Sequence, residues 1–248
     1  MTSRRLKLIV SYDGRDFAGW QSQSHGNTVQ DRIEAALKKI SGARISVIGA
    51  GRTDAGVHAL GQCAHADVPA TKFTLERWLT ALNGVLPPTI RILRAQFVST
   101  NFHARFSAKA KVYRYRLVNS SIMPPLEYGR AWHIATPLDR LLLERGAKLF
   151  VGRHDFANFA ARRSKSVENT IRTIDRLRPR YRGEVIEIEF AASGFLYKMV
   201  RLITGALVRC ALEQDTLDSI RSRLENAGRD TSRFVAPASA LYLVRVRY

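Results

Sequence analysis

The chain has 248 residues, of which 46% are hydrophobic, enough to bury one large core or two small ones and too many for a disordered or collagen-like polymer. No run of about 18 apolar residues marks a membrane span, and the short run Leu6, Leu8, Ile9, Val10 reads as a first strand rather than a signal peptide, so a cytoplasmic protein is expected. Forty Lys and Arg against 21 Asp and Glu leave a net charge of +19, a self-repelling excess that is useful chiefly against a polyanion; nucleic acid is the expected partner and a membrane surface is not.

Residues 6–12 alternate and are rich in β-formers until the turn Asp13-Gly14. Asn27 reads as a helix cap with Gln30 three residues on, and Val29, Ile33, Ala36, Leu37 and Ile40 recur at helical spacing until Gly42. Strands at 45–50 and 62–68 flank a glycine-bearing loop. A second helix over 74–83 has Leu75, Trp78, Leu79 and Leu82 as its apolar stripe; Pro87-Pro88 ends it, and 90–98 is a further strand. The second half repeats these element types loosely, with strands at 111–118, 171–177, 184–191 and 241–247 and helices at 138–150, 195–213 and 216–227. The order predicts an α+β fold of two ferredoxin-like βαββαβ halves with antiparallel sheets and a central cleft. The expected domains are 1–104 and 105–248, the first carrying the glycine-bearing loop.

Cys63 and Cys210 belong to no ligand-spaced cluster and read as two small buried apolar residues, with neither a zinc site nor a disulfide framework. The stretch GAGRTDAGVHALG at 49–61 holds Gly49 and Gly51, but a dinucleotide-binding turn needs a third glycine and an immediate helix. Position 54 is Asp, and VHALGQCAHADV has no helical stripe. What remains is a carboxylate in a tight loop, preceded by Arg52 and bounded by Gly51 and Gly56. On its own such an Asp is more often a turn former than a catalyst.

The run GRTDAGVHALGQ at 51–62 resembles the signature of the bacterial-type tRNA pseudouridine synthase I (TruA) family. Residues 12–23 (YDGRDFAGWQSQ), 101–117 (NFHARFSAKAKVYRYRL), 154–160 (HDFANFA), 195–207 (FLYKMVRLITGAL) and 236–248 (APASALYLVRVRY) resemble its other blocks in the family's order. The resemblance covers nearly the whole chain. Thr89, Ala240, Leu202 and Thr204 depart from the family's commoner acidic, glycine, asparagine and aliphatic residues, which bears on pocket shape and substrate range.

The resemblance implies an enzyme that isomerises uridine to pseudouridine at positions 38, 39 and 40 of the tRNA anticodon stem-loop. It implies Asp54 as the essential carboxylate, acting as glycosidase carboxylates do, with attack at ribose C1′ or at base C6 left open. It implies Arg201 as the partner that holds Asp54 charged, although an Arg at the polar edge of an amphipathic helix would read the same. Tyr113 is implied as the platform stacked on the uracil, with Tyr115 left to core packing. Leu241 is implied as a pocket wall, or as ordinary strand core, and Arg52 as a contact to the RNA backbone. Arg105, Lys109, Lys111, Arg162, Arg163, Lys165, Arg178, Arg180 and Arg182 form a general basic population for phosphate, while His58 and His103 read as structural. The family also implies a homodimer, with no metal, no redox cofactor and no nucleoside triphosphate. Two rivals stand beside this reading: a non-catalytic RNA-binding protein on the same scaffold, and a pseudouridine synthase with another uridine target.

Overall fold

A computed structural model describes residues 3–24, 26–70, 73–161, 169–226, 228 and 234–248. The fold is mixed α+β, and the chain divides into two compact units, Met1–Lys109 with Tyr242–Tyr248, and Ala110–Leu241. No helix of the described residues is long and apolar enough to cross a membrane.

In the first unit β1 (Ser3–Tyr12), β3 (His58–Pro69) and β4 (Ile90–Val98) run antiparallel in the order β4-β1-β3. The free edge of β3 is shared by β2 (Val47–Gly49), paired along Ala64–Ala66, and by β10 (Leu241–Arg247), which joins it in parallel at His58 and Ala59. Strict alternation sends Leu6, Leu8, Val10 and Tyr12 inward. Val29, Ile33, Ala36 and Leu37 of α1 (Val29–Ser41) and Trp78 and Leu82 of α2 (Leu75–Val85) complete the core. Leu75 and Leu79, expected in the α2 stripe, are half-buried. The cap of α1 differs from expectation: Thr28, not Asn27, accepts from Asp31 N–H, and the Asp31 carboxylate returns to the Thr28 N–H. The Asn27 amide is used instead to reach Asp16 O. Gly42 ends the helix with φ 73°, as the sequence predicts.

In the second unit β5 (Ala110–Asn119), β9 (Val185–Ala192), β8 (Ile171–Arg182) and β7 (Gly152–Asp155) form an antiparallel run in that order, and β6 (Trp132–Ile134) lies parallel to β5. Helix α3 (Arg140–Leu149) packs on α4 (Met199–Ala211), on α5 (Leu217–Glu225) and on β8. Eleven of the 13 residues of α4 are buried, so it is a central helix wrapped on all sides; its half-buried positions are Arg201 and Arg209. The helix begins at Met199 and not at 195, because Lys198 takes the left-handed conformation at φ 58°. Cys63 and Cys210 are both buried free thiols.

Candidate active site

The loop between β2 and β3 carries Arg52 and Asp54, and the first unit holds its backbone from several directions. Trp20 N–H donates to Thr53 O at 3.1 Å and Gly56 N–H to Phe17 O at 3.3 Å, while Val57 N–H closes a turn onto Asp54 O at 3.1 Å. From β3, Gln62 Nε2 donates to Gly51 O at 2.8 Å. From the end of β1, the Tyr12 hydroxyl meets Thr53 Oγ1 at 2.8 Å. Burial drives the Tyr12 phenol far above its usual range, so it is a neutral hydroxyl at every working pH.

Two glycines make this wrapping sterically possible. A Cβ on Gly14 would sit 2.0 Å from Val57 O, and one on Gly19, whose φ is +94°, would sit 2.4 Å from Thr53 O. Trp20 is almost fully buried against Gly49, and its carbonyl accepts from Gln30 N–H in the first turn of α1. The loop is thus tied to a strand end, a helix start and the long strand that follows it. Thr53 is buried, Asp54 half-buried and Arg52 exposed: the Thr53 side chain anchors the loop between its two charged neighbours. The ring of His58 stacks on Tyr242 at 4.6 Å and its Nδ1 lies 3.2 Å from Gly14 N. His103 Nδ1 accepts from the backbone N–H groups of Arg105 and Phe106. His58 Nδ1 also lies 3.2 Å from Asp13 Oδ1, and each histidine makes a hydrogen bond to the backbone, the structural kind of bond expected of it.

The second unit holds the other three candidates. Tyr113 lies on β5 in register with Phe190, is 8% exposed, and meets Phe195 edge to face at 5.2 Å. Tyr115 is fully buried and donates its hydroxyl to Pro237 O at 2.7 Å, the packing role expected for it. Arg201 Nε donates to Ala236 O at 2.7 Å, and Ala236 N–H returns to Arg201 O at 3.2 Å. Arg201 and Tyr115 therefore converge on the segment Ala236-Pro237, whereas Tyr113 turns to Phe195. Leu241 is buried at the start of β10.

The position of Arg201 is electrostatically unusual. It lies in the first turn of α4, whose N-terminus has no side-chain cap and no acidic residue, with Lys198 just before it. Two cations at the positive end of a helix dipole are a cost to the isolated fold and an asset to a nearby anion. Of the wider basic population, Arg178, Arg180 and Arg182 are exposed on β8; Arg162, Arg163 and Lys165 lie outside the described residues. Of the supporting residues Tyr12, Gly14, Gly19, Trp20, Thr53 and Gln62, the sequence singled out Gly14 alone, and only as a turn residue. All six fall inside the blocks at 12–23 and 51–62, but nothing in a linear chain says that these two blocks interlock.

A sequence profile described as tRNA pseudouridine synthase matches residues 8–107 and 147–248. The chain is 45% identical over 252 residues to the tRNA pseudouridine synthase A of Akkermansia muciniphila, an alignment covering 98% of this chain and 95% of that protein. It is 42% identical to the tRNA pseudouridine synthase A of Zymomonas mobilis, over 98% of this chain and 99% of that one. It is 40% identical to that of Acetivibrio thermocellus, over 99% and 100%. The chain belongs to the tRNA pseudouridine synthase family. It is an isomerase acting on uridine in tRNA, as the six sequence blocks led us to expect.

Proposed function

We propose that the enzyme isomerises uridines 38, 39 and 40 of the tRNA anticodon stem-loop, with the Asp54 carboxylate as nucleophile. The N1–C1′ bond of the nucleotide breaks, a C5–C1′ bond forms, C5 loses its proton and N1 regains one. Atoms and electrons balance within the nucleotide, so the reaction calls for no redox cofactor and no nucleoside triphosphate. Asp54 captures the substrate at C1′ or at C6 and is released unchanged.

In this reading Tyr113 stacks on the extruded uracil, recovering roughly 1–3 kcal/mol of the unstacking cost. Arg201 pairs with the Asp54 carboxylate and keeps it charged, a role suited to a cation held at an uncapped helix start. Arg52 meets the RNA backbone beside the extruded nucleotide, and Leu241 walls the pocket. The same reading takes each unit as a ferredoxin-like half, lodges the uridine in a central cleft, and has the enzyme work in the cytoplasm as a homodimer. The observation that carries it is the Asp54 loop, tied through its backbone to Trp20, Phe17 and Gln62 and through the Thr53 hydroxyl to Tyr12, with Asp54 itself half-buried. Such pre-organisation suits a group that must meet an electrophilic carbon repeatedly in one geometry.

Release of tritium from tRNA labelled at uridine C5 tests the nucleophile. Asp54→Asn should release none while binding tRNA within a few-fold of wild type, and substantial residual release overturns the assignment. Pseudouridine mapping in tRNA from cells lacking the enzyme tests the positions: losses elsewhere than 38–40 would replace that target.

A further inference from the structure

The second unit has a polar groove of about 450 Å³ at the β7 edge, lined by Arg153, Asn169, Ile171, Arg172, Thr173, Ser193 and Gly194. Three segments build it: the edge strand β7, the start of β8, and the turn after β9. In the β7–β8 ladder Arg153 lies opposite Thr173, and His154 opposite Arg172. We propose that this groove is a second RNA contact, gripping the sugar–phosphate backbone of the bound tRNA through Arg153 and Arg172; the inference rests on the tRNA substrate of the proposed function.

The charge pattern points to a polyanion. Several arginines of this unit are matched internally: Arg114 and Arg116 by Glu187, Arg176 by Glu189 and Arg223 by Asp215. Among the described residues Arg153 and Arg172 form no ion pair and no carboxylate lines the groove. The nearby Asp155 is engaged by the Thr170 hydroxyl at 2.6 Å and by Ala157 N–H at 3.0 Å. Arg172 is held in place all the same, because its Nη1 donates to Asn169 O at 3.1 Å and Ile171 O at 2.6 Å. A guanidinium fixed by two carbonyls with no carboxylate to neutralise it is a pre-set fork for phosphate.

The neutral lining fits the same ligand. Thr173, Ser193 and Asn169 supply hydroxyl and amide groups matched to ribose 2′-hydroxyls and phosphate oxygens. A Cβ on Gly194 would meet nothing within 4 Å, so the wall there is open. Gly194 is followed directly by Phe195, whose ring packs on Tyr113. The groove is therefore covalently next to the proposed uracil platform, and one RNA chain can serve both.

The experiment is tRNA binding across a salt series with wild type, Arg153→Ala/Arg172→Ala, Arg153→Lys/Arg172→Lys and Ser193→Asp. Each phosphate contact contributes roughly 0.7–0.9 to the slope of log K against log salt. The double alanine variant should lose about 1.4–1.8 of that slope and bind about tenfold more weakly near 0.1 M salt. The double lysine variant should keep the wild-type slope. Ser193→Asp, which places a carboxylate in the groove without touching either arginine, should weaken binding as the alanine pair does. A wild-type slope in the double alanine variant, or unchanged binding by Ser193→Asp, overturns the proposal. Tritium release and mapping on wild-type enzyme judge the underlying activity separately, so an active wild type combined with an unchanged slope sinks the groove alone.

Discussion

The phenolic oxygen of Tyr12 and Oγ1 of Thr53 lie 2.8 Å apart in a buried contact. It joins the last residue of the first strand to the residue immediately before Asp54. In water this exchange of hydrogen bonds would be worth little. Buried, either hydroxyl left without its partner costs about 1–3 kcal/mol.

Tyr12→Phe should therefore loosen the loop without removing a group from the RNA surface. The expected result is a tenfold or greater fall in kcat for tritium release with tRNA Kd unchanged, since about 1 Å of misplacement costs up to 100-fold. Thr53→Ser, which keeps the hydroxyl, should stay close to wild type. Equal kcat for Tyr12→Phe and wild type would show that Asp54 is positioned without this bond.

Gly19 and Gly84 should respond to alanine in opposite directions. At Gly19 the backbone has φ +94° and an added Cβ would press on Thr53 O at 2.4 Å, so Gly19→Ala should lower Tm and activity together. Gly84 lies in α2 with nothing within 4 Å of its Cβ position, so Gly84→Ala should raise stability by about 0.5–1 kcal/mol. Thermal melts of the two variants decide both.

His65 should make the fold acid-sensitive. It is 3% exposed, and its Nδ1 accepts from Ala104 N–H at 3.1 Å, a bond only the neutral ring can keep. Burial, then the charges of Arg5 and His103, pull its pKa down from 6.5 to about 4, against a smaller upward pull from Asp67. Below about pH 6.5 the unfolded chain takes up this proton and the folded one does not. This group's contribution is therefore complete at pH 7 and is lost progressively as pH falls toward 4. His65→Asn retains an acceptor that cannot titrate, and should flatten the Tm loss between pH 7 and 4.5 by roughly 5 °C. Parallel pH–Tm curves for the two proteins would assign the acid sensitivity to other groups.

Asn158 should be a stability residue of the second unit. It is fully buried, donates from Nδ2 to Arg223 O at 2.8 Å and Asn226 O at 2.9 Å, and accepts from Gly228 N–H at 3.0 Å. It satisfies the carbonyl end of α5, which packing alone would leave unpaired. Asn158→Ala should cost about 2–4 kcal/mol in denaturant melts, whereas tRNA affinity of the folded fraction should hold.

Regular alternation and strong stops were legible in the chain. The strands at 90–98 and 241–247 fall where the pattern puts them, and Gly42 ends α1 as predicted. What was hidden depends on tertiary pairing. β3 begins at His58 and not at 62, because Ala59 pairs with Tyr12 and His58 with Tyr242, partners far away in sequence. β8 runs on to Arg182 through Pro179, a residue that argues against a strand until its neighbours are known. The short β6 and β7 have too few residues to show a period. In the site, the Asp54 loop was visible as a motif, but its anchors Tyr12 and Trp20 were not, since hydroxyl and indole partners are chosen by folding and not by spacing.

The arrangement of β10 has a consequence for synthesis. Tyr242 and Leu243 pair with β3, and the Tyr248 hydroxyl reaches Ala104 O at 2.8 Å, so the first unit is completed by a strand that emerges after the whole of Ala110–Leu241. At roughly 5–20 residues per second a ribosome needs on the order of ten seconds to bridge that interval. Throughout that wait part of the β3 edge stands without its partner, a template for a neighbouring nascent chain. The amino-terminal core is thus born early and sealed only when β10 emerges, and crowding on polysomes is the condition in which its open edge is most exposed to mispairing.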